Sequence, residues 1–277
     1  MLKTRVITAL VLMALLLPSI FWLPQSAWAL LVAIFIGIGA WEWGSLLGWQ
    51  SGPRIALGIG TALLCAALSI MDPAAMGVGH FEPGTVWVFA FYGVSTVFWL
   101  LLLPFWLKNK WALGKFSGIL VGAVVLLPTW LAMVQLRALG PGVLLAVFAI
   151  VWMADIAAYF AGRRFGKHKL APSISPGKTL EGAVGALVGV LLYGSLIGHY
   201  FFAGVMSVEM WTAALVLMTG VSIVGDLFES LLKRKAGIKD SSNILPGHGG
   251  VLDRIDSLTS TLPVVAMVWL AFIHVPT

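Results

Sequence analysis

Charge is the scarcest commodity in this 277-residue chain: 10% of residues are Asp, Glu, Lys or Arg, while 60% are hydrophobic. Mean hydropathy is +1.00. Soluble domains carry about 25% charged residues, and so few charges cannot cover a water-facing surface of this size. Cysteine is almost missing too. Cys65 alone excludes a disulfide-stapled secreted scaffold. The five histidines, His80, His168, His199, His248 and His274, lack the spacing of a zinc set. Internal repeats and low-complexity tracts are absent, and the apolar composition excludes disorder.

Long apolar runs are what the chain has in abundance. A hydrocarbon core about 30 Å thick is crossed by about 20 apolar residues. Nine segments qualify: 6–23, 28–47, 55–71, 85–107, 113–134, 141–162, 181–203, 210–232 and 257–275. The expected fold is all-α, a polytopic integral membrane protein of about nine transmembrane helices. Most connections are short; the exceptions are the polar stretches 163–180 and 233–256, with 72–84 a smaller third. Lys3 and Arg5 before an apolar run, with Ala27-Trp28-Ala29 after it, mimic a secretory signal. Cleavage there would leave yet another membrane span, so an uncleaved first helix is expected.

Basic residues orient the bundle. With the N-terminus cytoplasmic, sixteen of the 17 Lys and Arg fall inside and only Arg137 falls outside. Net charge +6 therefore reports topology, not a nucleic-acid partner. Eight of the 11 acids lie between 155 and 256: Asp155, Glu181, Glu209, Asp226, Glu229, Asp240, Asp253 and Asp256. Asp155 and Asp226 sit about 10–12 Å inside their helices, and carboxylates at that depth call for a polar cavity, a cation or each other. Ser222, Asp226, Glu229 and Lys233 follow one another at four, three and four residues, a single helical stripe. Asp253 and Asp256 share a side at the entry to the last span. Asp226, Asp253 and Asp256 near many cations fit a magnesium and phosphate site, since Mg²⁺ takes one or two carboxylates and leaves room for water and phosphate oxygens. A second cation can share such a site.

Two loops could hold phosphate. Ser175-Pro176-Gly177-Lys178-Thr179 contains a Gly-Lys-Thr, but a P-loop needs glycine where Pro172 stands, and no strand precedes it. What remains is a Ser/Lys/Thr cluster entering a helix N-terminus, a natural anion site. The second loop carries Lys233-Arg234-Lys235, Lys239-Asp240, Pro246-Gly247-His248-Gly249-Gly250 and Asp253-Arg254-Ile255-Asp256. Its glycines permit close backbone approach to a ligand, and Arg254 between two acids can neutralise phosphate. Buried acids also suit an ion path in a transporter, but these cluster on one side and no inverted repeat accompanies them.

The 27 residues from Ser230 to Asp256 resemble the signature of the phosphatidate cytidylyltransferases, the CDP-diacylglycerol synthases: S-x-L-K-R, four residues, K-D-x-S, two residues, L-P-x-H-G-G-V-x-D-R-I-D. Gly225–Ser230, Ser175–Gly182 and Asp155–Phe160 are similar to the family as well; residues 1–140 match only as hydrophobic spans. On this resemblance 1–140 is a set of N-terminal helices and 141–277 the catalytic region with loops 163–180 and 233–256. The resemblance implies a bacterial inner-membrane homodimer, with its site facing the cytoplasm, that joins CTP and phosphatidate into CDP-diacylglycerol and pyrophosphate. It implies magnesium, with a second cation such as potassium, on Asp226, Asp253 and Asp256. Lys233 and Arg254 join those acids as catalytic candidates. Ser175, Lys178, Thr179, Arg234, Lys239, His248, Gly249 and Gly250 are substrate-binding candidates. A related transferase acting on another lipid is the alternative of the same class.

Overall fold

The computed structural model describes residues 2–201 and 207–273. Ten α-helices and one hairpin follow in order: α1 Leu2–Trp22, α2 Gln25–Leu46, α3 Ser51–Met71, α4 Val86–Val97, α5 Leu103–Asn109, α6 Lys115–Leu139, α7 Pro141–Phe165, β1 Lys169–Ala171, β2 Ser175–Thr179, α8 Leu180–Phe201, α9 Val208–Lys235 and α10 Leu252–Ile273. A π-helical turn, Phe98–Leu102, joins α4 to α5, so Val86–Asn109 runs as one span. Among the described residues, eight helices are long and apolar enough to cross a membrane. The ninth, α10, has 22 residues and a charged first turn. The multi-pass helical membrane fold expected from the hydropathy is thus present. His274 and the ends of two expected spans, 202–203 and 274–275, lie outside the described residues.

Burial is uneven because lipid, not water, surrounds the bundle. α6 is buried without a break from Thr129 to Arg137, and with α2, α9 and α10 it forms the core. α1 and α3 are peripheral; only Gly58 and Cys65 of α3 are buried. Small residues set the tightest helix pairs. A Cβ on Gly37 would lie 2.8 Å from the Ala62 Cβ, drawing α2 onto α3, and one on Gly189 would lie 2.6 Å from the Ala157 Cβ, drawing α8 onto α7. Trp28 and Ala29, within the cleavage-like triplet, are buried inside α2, and the Trp28 indole donates to the Met133 carbonyl at 3.1 Å.

Arg137, the lone basic residue of the opposite end, is only 8% exposed. Its guanidinium donates to the Ile20 carbonyl at 2.8 Å, the Gln25 Oε1 at 2.6 Å and the Leu23 carbonyl. It closes the C-terminus of α1, where carbonyls have no helical partner. At the other end, Phe98, Trp99 and Trp106 each meet Phe228 at ring-centroid distances of 5.7 Å, and Trp43 meets it at 6.3 Å. This aromatic packing fixes α9 just where its acids begin.

Candidate active site

α9 carries Asp226 and Glu229 on one stripe with Lys233, as their spacing predicts, but their partners divide it. Asp226 Oδ2 lies 2.5 Å from Lys178 Nζ on β2, and Ser230 Oγ donates to Oδ1 at 3.3 Å. One turn on, Lys233 Nζ lies 3.1 Å from Glu229 Oε1 and 2.6 Å from Asp253 Oδ1. The first half of the stripe faces the hairpin and the second faces α10.

Gly225 brings the two helices together. A Cβ there would lie 2.9 Å from the Asp256 carbonyl and would collide with Ser260 Oγ, whose hydroxyl donates to the Val221 carbonyl at 2.9 Å. Backbone contact at Gly225 sets Asp256 beside Asp226. Asp256 lies within electrostatic reach of Asp226, Asp155 and Lys233, and Asp155 within reach of Lys178 and Arg254. Asp226, Asp256, Lys178 and Arg254 therefore gather at one end of the bundle, with Asp155 from the open face of α7 added to them.

Asp253 is placed differently. Its Oδ2 accepts from the Ser241 N–H at 2.8 Å, the Ser241 hydroxyl at 2.9 Å and the Gly250 N–H at 2.8 Å, while Lys233 fills Oδ1. Its neighbours Val251 and Leu252 turn their N–H groups to another acid, Glu42 on α2, at 2.9 and 2.7 Å. Three successive N–H groups at the start of a helix make an anion-binding nest. Here the protein's own carboxylates fill it. The glycines serve the same purpose: a Cβ on Gly249 would lie 2.6 Å from Asp253 Oδ2, and one on Gly250 would collide with Ser241 Oγ and Glu42 Oε1. The room expected for a ligand at Gly249 and Gly250 is taken up internally. Gly247 and Gly249 have φ of +76° and +79°, which only glycine adopts without strain. His248 lies between them, half-buried, with no hydrogen bond to its Nδ1 among the described residues.

The remaining candidates separate by exposure. Arg234, Lys239 and Arg254 are exposed and form no ion pair among the described residues, leaving their charges available. Ser175 is half-buried on β2. Thr179 is buried, and its hydroxyl accepts from the Gly182 N–H at 3.1 Å, capping α8. The hairpin base is closed by Glu181, which accepts from the Lys167 N–H at 3.0 Å and meets His168 Nδ1 at 2.7 Å.

Among the described residues, no three carboxylate, thiolate or imidazole groups converge into a ready-made metal site. The donor chemistry nevertheless fits a hard divalent cation. Asp256 Oδ1 accepts only the neighbouring Ser257 N–H at 2.8 Å, and no hydrogen-bond donor among the described residues reaches Asp155. Unfilled carboxylate oxygens beside Asp226 are what such an ion takes. Sequence reasoning missed Glu42 altogether and left Asp155 without a role. The signal for Glu42 was an acid inside an apolar run, between Trp41 and Trp43.

Eight membrane-length apolar helices among the described residues, with acids and cations gathered at one end, make this a multi-pass helical membrane protein with a charged cluster at one end of its bundle. Residues 3–272 match the cytidylyltransferase family model, and the chain belongs to that family. It is 43% identical over 279 residues to a phosphatidate cytidylyltransferase of Pseudomonas aeruginosa, covering 98% of each chain. A Haemophilus influenzae protein of the same name is 34% identical over 283 residues, covering 95% of this chain and 96% of its own. One from Staphylococcus aureus is 44% identical over 131 residues, 47% of this chain and 50% of the relative.

Proposed function

We propose that the chain transfers the cytidylyl group of CTP to phosphatidate, giving CDP-diacylglycerol and pyrophosphate for phospholipid synthesis. The observation that carries this reading is similarity to relatives so named over nearly the whole chain. A phosphate oxygen of the lipid attacks the α-phosphorus of CTP. A new P–O–P bond forms, the bond to the α–β bridging oxygen breaks, and pyrophosphate leaves with the electron pair. The lipid phosphate is already a nucleophile, so the step asks for positioning and charge neutralisation more than for a base.

Lys178, held by Asp226, and the unpaired Arg254, Arg234 and Lys239 are suited to neutralise the two anions. Lys233 is bound between Glu229 and Asp253 and orders α10 from behind. Asp226 and Asp256, with Asp155 beside them, would hold a magnesium ion, which supplies further neutralisation of phosphate charge. Asp253 would join them only by releasing Lys233. Purified protein in detergent, given labelled CTP and phosphatidate, should form CDP-diacylglycerol with Mg²⁺ and none once the ion is chelated. Folded protein that makes no product, or that prefers a polyprenyl phosphate, overturns the reading.

The cluster faces the cytoplasm of a bacterial inner membrane in this proposal, where CTP is found and where the phosphatidate headgroup lies at the interface. Reporter fusions after residues 138 and 240 should read opposite sides, the second cytoplasmic; matching sides overturn the orientation.

A further inference from the structure

We infer that Glu42 is a positioning residue for the transfer reaction, holding the loop 241–252 and the first turn of α10 against α2. The inference rests on the function proposed above. Glu42 is fully buried, and it is paired with no cation among the described residues. Four donors converge on its carboxylate instead. Oε1 accepts from the Ser242 hydroxyl at 2.6 Å and the Val251 N–H at 2.9 Å. Oε2 accepts from the Leu252 N–H at 2.7 Å and lies 3.1 Å from the Ser241 hydroxyl. An anion that holds three donors throughout and shares a fourth, at the positive end of a helix, stabilises that terminus through hydrogen bonds and the helix dipole together.

The connection continues to the reacting end. Ser241 Oγ lies 3.1 Å from Glu42 and 2.9 Å from Asp253; its one proton serves one carboxylate at a time, while the Ser241 N–H stays on Asp253. Asp253 holds Lys233, and Lys233 holds Glu229. Asp256 follows Leu252 by one turn of the same helix. Glu42 thus fixes where α10 begins, and with it the approach of Asp256 to Asp226 and of Arg254 to the cluster. It touches neither substrate in the proposed arrangement and acts through α10.

A glutamine at this position keeps the shape but presents an NH₂ to two donors. Glu42→Gln should lower kcat by about 10- to 100-fold, the cost of sub-ångström misplacement in an active site, with KM for CTP within about threefold of the parent. Thr129→Val is the control. It removes a different buried hydroxyl facing α10, deeper in the bundle, whose proton is shared between the Val125 carbonyl at 2.6 Å and the Thr259 carbonyl at 3.1 Å. It should lower the thermal midpoint in detergent and leave kcat unchanged.

Ser242→Ala removes one donor without disturbing buried charge and should lower kcat by about threefold to tenfold. It carries the test alone if Glu42→Gln does not fold. Parental kcat in Ser242→Ala, or in folded Glu42→Gln, overturns the inference. So does a kcat loss in Thr129→Val that matches Glu42→Gln at equal loss of thermal midpoint. An inactive parent protein overturns the proposed function instead, so the two failures are distinct.

Discussion

The hairpin at 166–179 and the loop at 236–251 meet at the same end of the bundle and share the work of presenting cations, yet they are built oppositely. The hairpin is a two-stranded ribbon whose tip, Pro172 and Ser173, is exposed, and one ion pair, Lys178 with Asp226, ties it to α9. The loop is stitched down by two buried carboxylates, Glu42 and Asp253, which occupy its N–H groups and hydroxyls. A ribbon closed at its base by Glu181 and tied to α9 through Lys178 can still adjust at its exposed tip as a substrate arrives. A loop held at Ser241, Ser242, Gly250 and Val251 by two buried carboxylates keeps one shape there, so it holds the acids of α10 ready before any ligand is present. Preorganised charge is worth more to a phosphoryl transfer than charge that must be gathered.

The sharpest way to break this comparison is at the two aspartates of α10. Asp256→Asn should reduce turnover by about 100- to 1,000-fold while the detergent-solubilised protein keeps its thermal midpoint, because among the described residues its carboxylate receives only the Ser257 N–H. Asp253→Ala should lose turnover to a similar degree and also about 3–5 kcal/mol of stability. It takes one of two carboxylates from the half-buried Lys233 and strands the buried donors of Ser241 and Gly250. Equal thermal midpoints in the two variants would mean that the loop is not pinned by Asp253.

Much of this was legible in the sequence, for physical reasons that differ from element to element. The spans can be read because a bilayer imposes one length and one composition on every helix, wherever its partners lie, and eight of the nine expected ones meet that measure among the described residues. The α9 stripe can be read because helical spacing is local: Asp226, Glu229 and Lys233 share a face whatever packs there. The rejection of a P-loop rests on the glycine missing at Pro172. The expectation that no strand precedes the segment was wrong, because β1 does, and Gly177-Lys178-Thr179 lies on the second strand of the hairpin rather than in a loop. Glu42 could not be read in the same way. Its partners are about 200 residues away in the chain, and nothing local separates a buried anchor from an interfacial acid. The same limit hid the state of Asp253, because a sequence shows an acid but not the donors that have already claimed it.

Glycines extend the comparison down to single methyl groups. Gly250 in the pinned loop and Gly177 in the hairpin are both glycines of phosphate-site appearance. A Cβ on Gly250 meets Ser241 Oγ and Glu42 Oε1, atoms held in place by the bonds around them, whereas a Cβ on Gly177 meets nothing within 4 Å. Gly250→Ala should therefore cost about 1–3 kcal/mol, the usual penalty for overpacking a filled site, and lower kcat because Glu42 and Ser241 must move. Gly177→Ala should change stability by no more than about 0.5 kcal/mol; its φ lies outside the left-handed region, so alanine adopts the same backbone without strain. Thermal midpoints and turnover of the pair, measured side by side, decide the matter. If both alanines were equally harmless, the pinned loop would have slack that its bonds do not suggest. If both were equally harmful, the hairpin would be as closely fitted as the loop, and Gly177 would owe its place to a ligand coming near it, since no atom of the protein does.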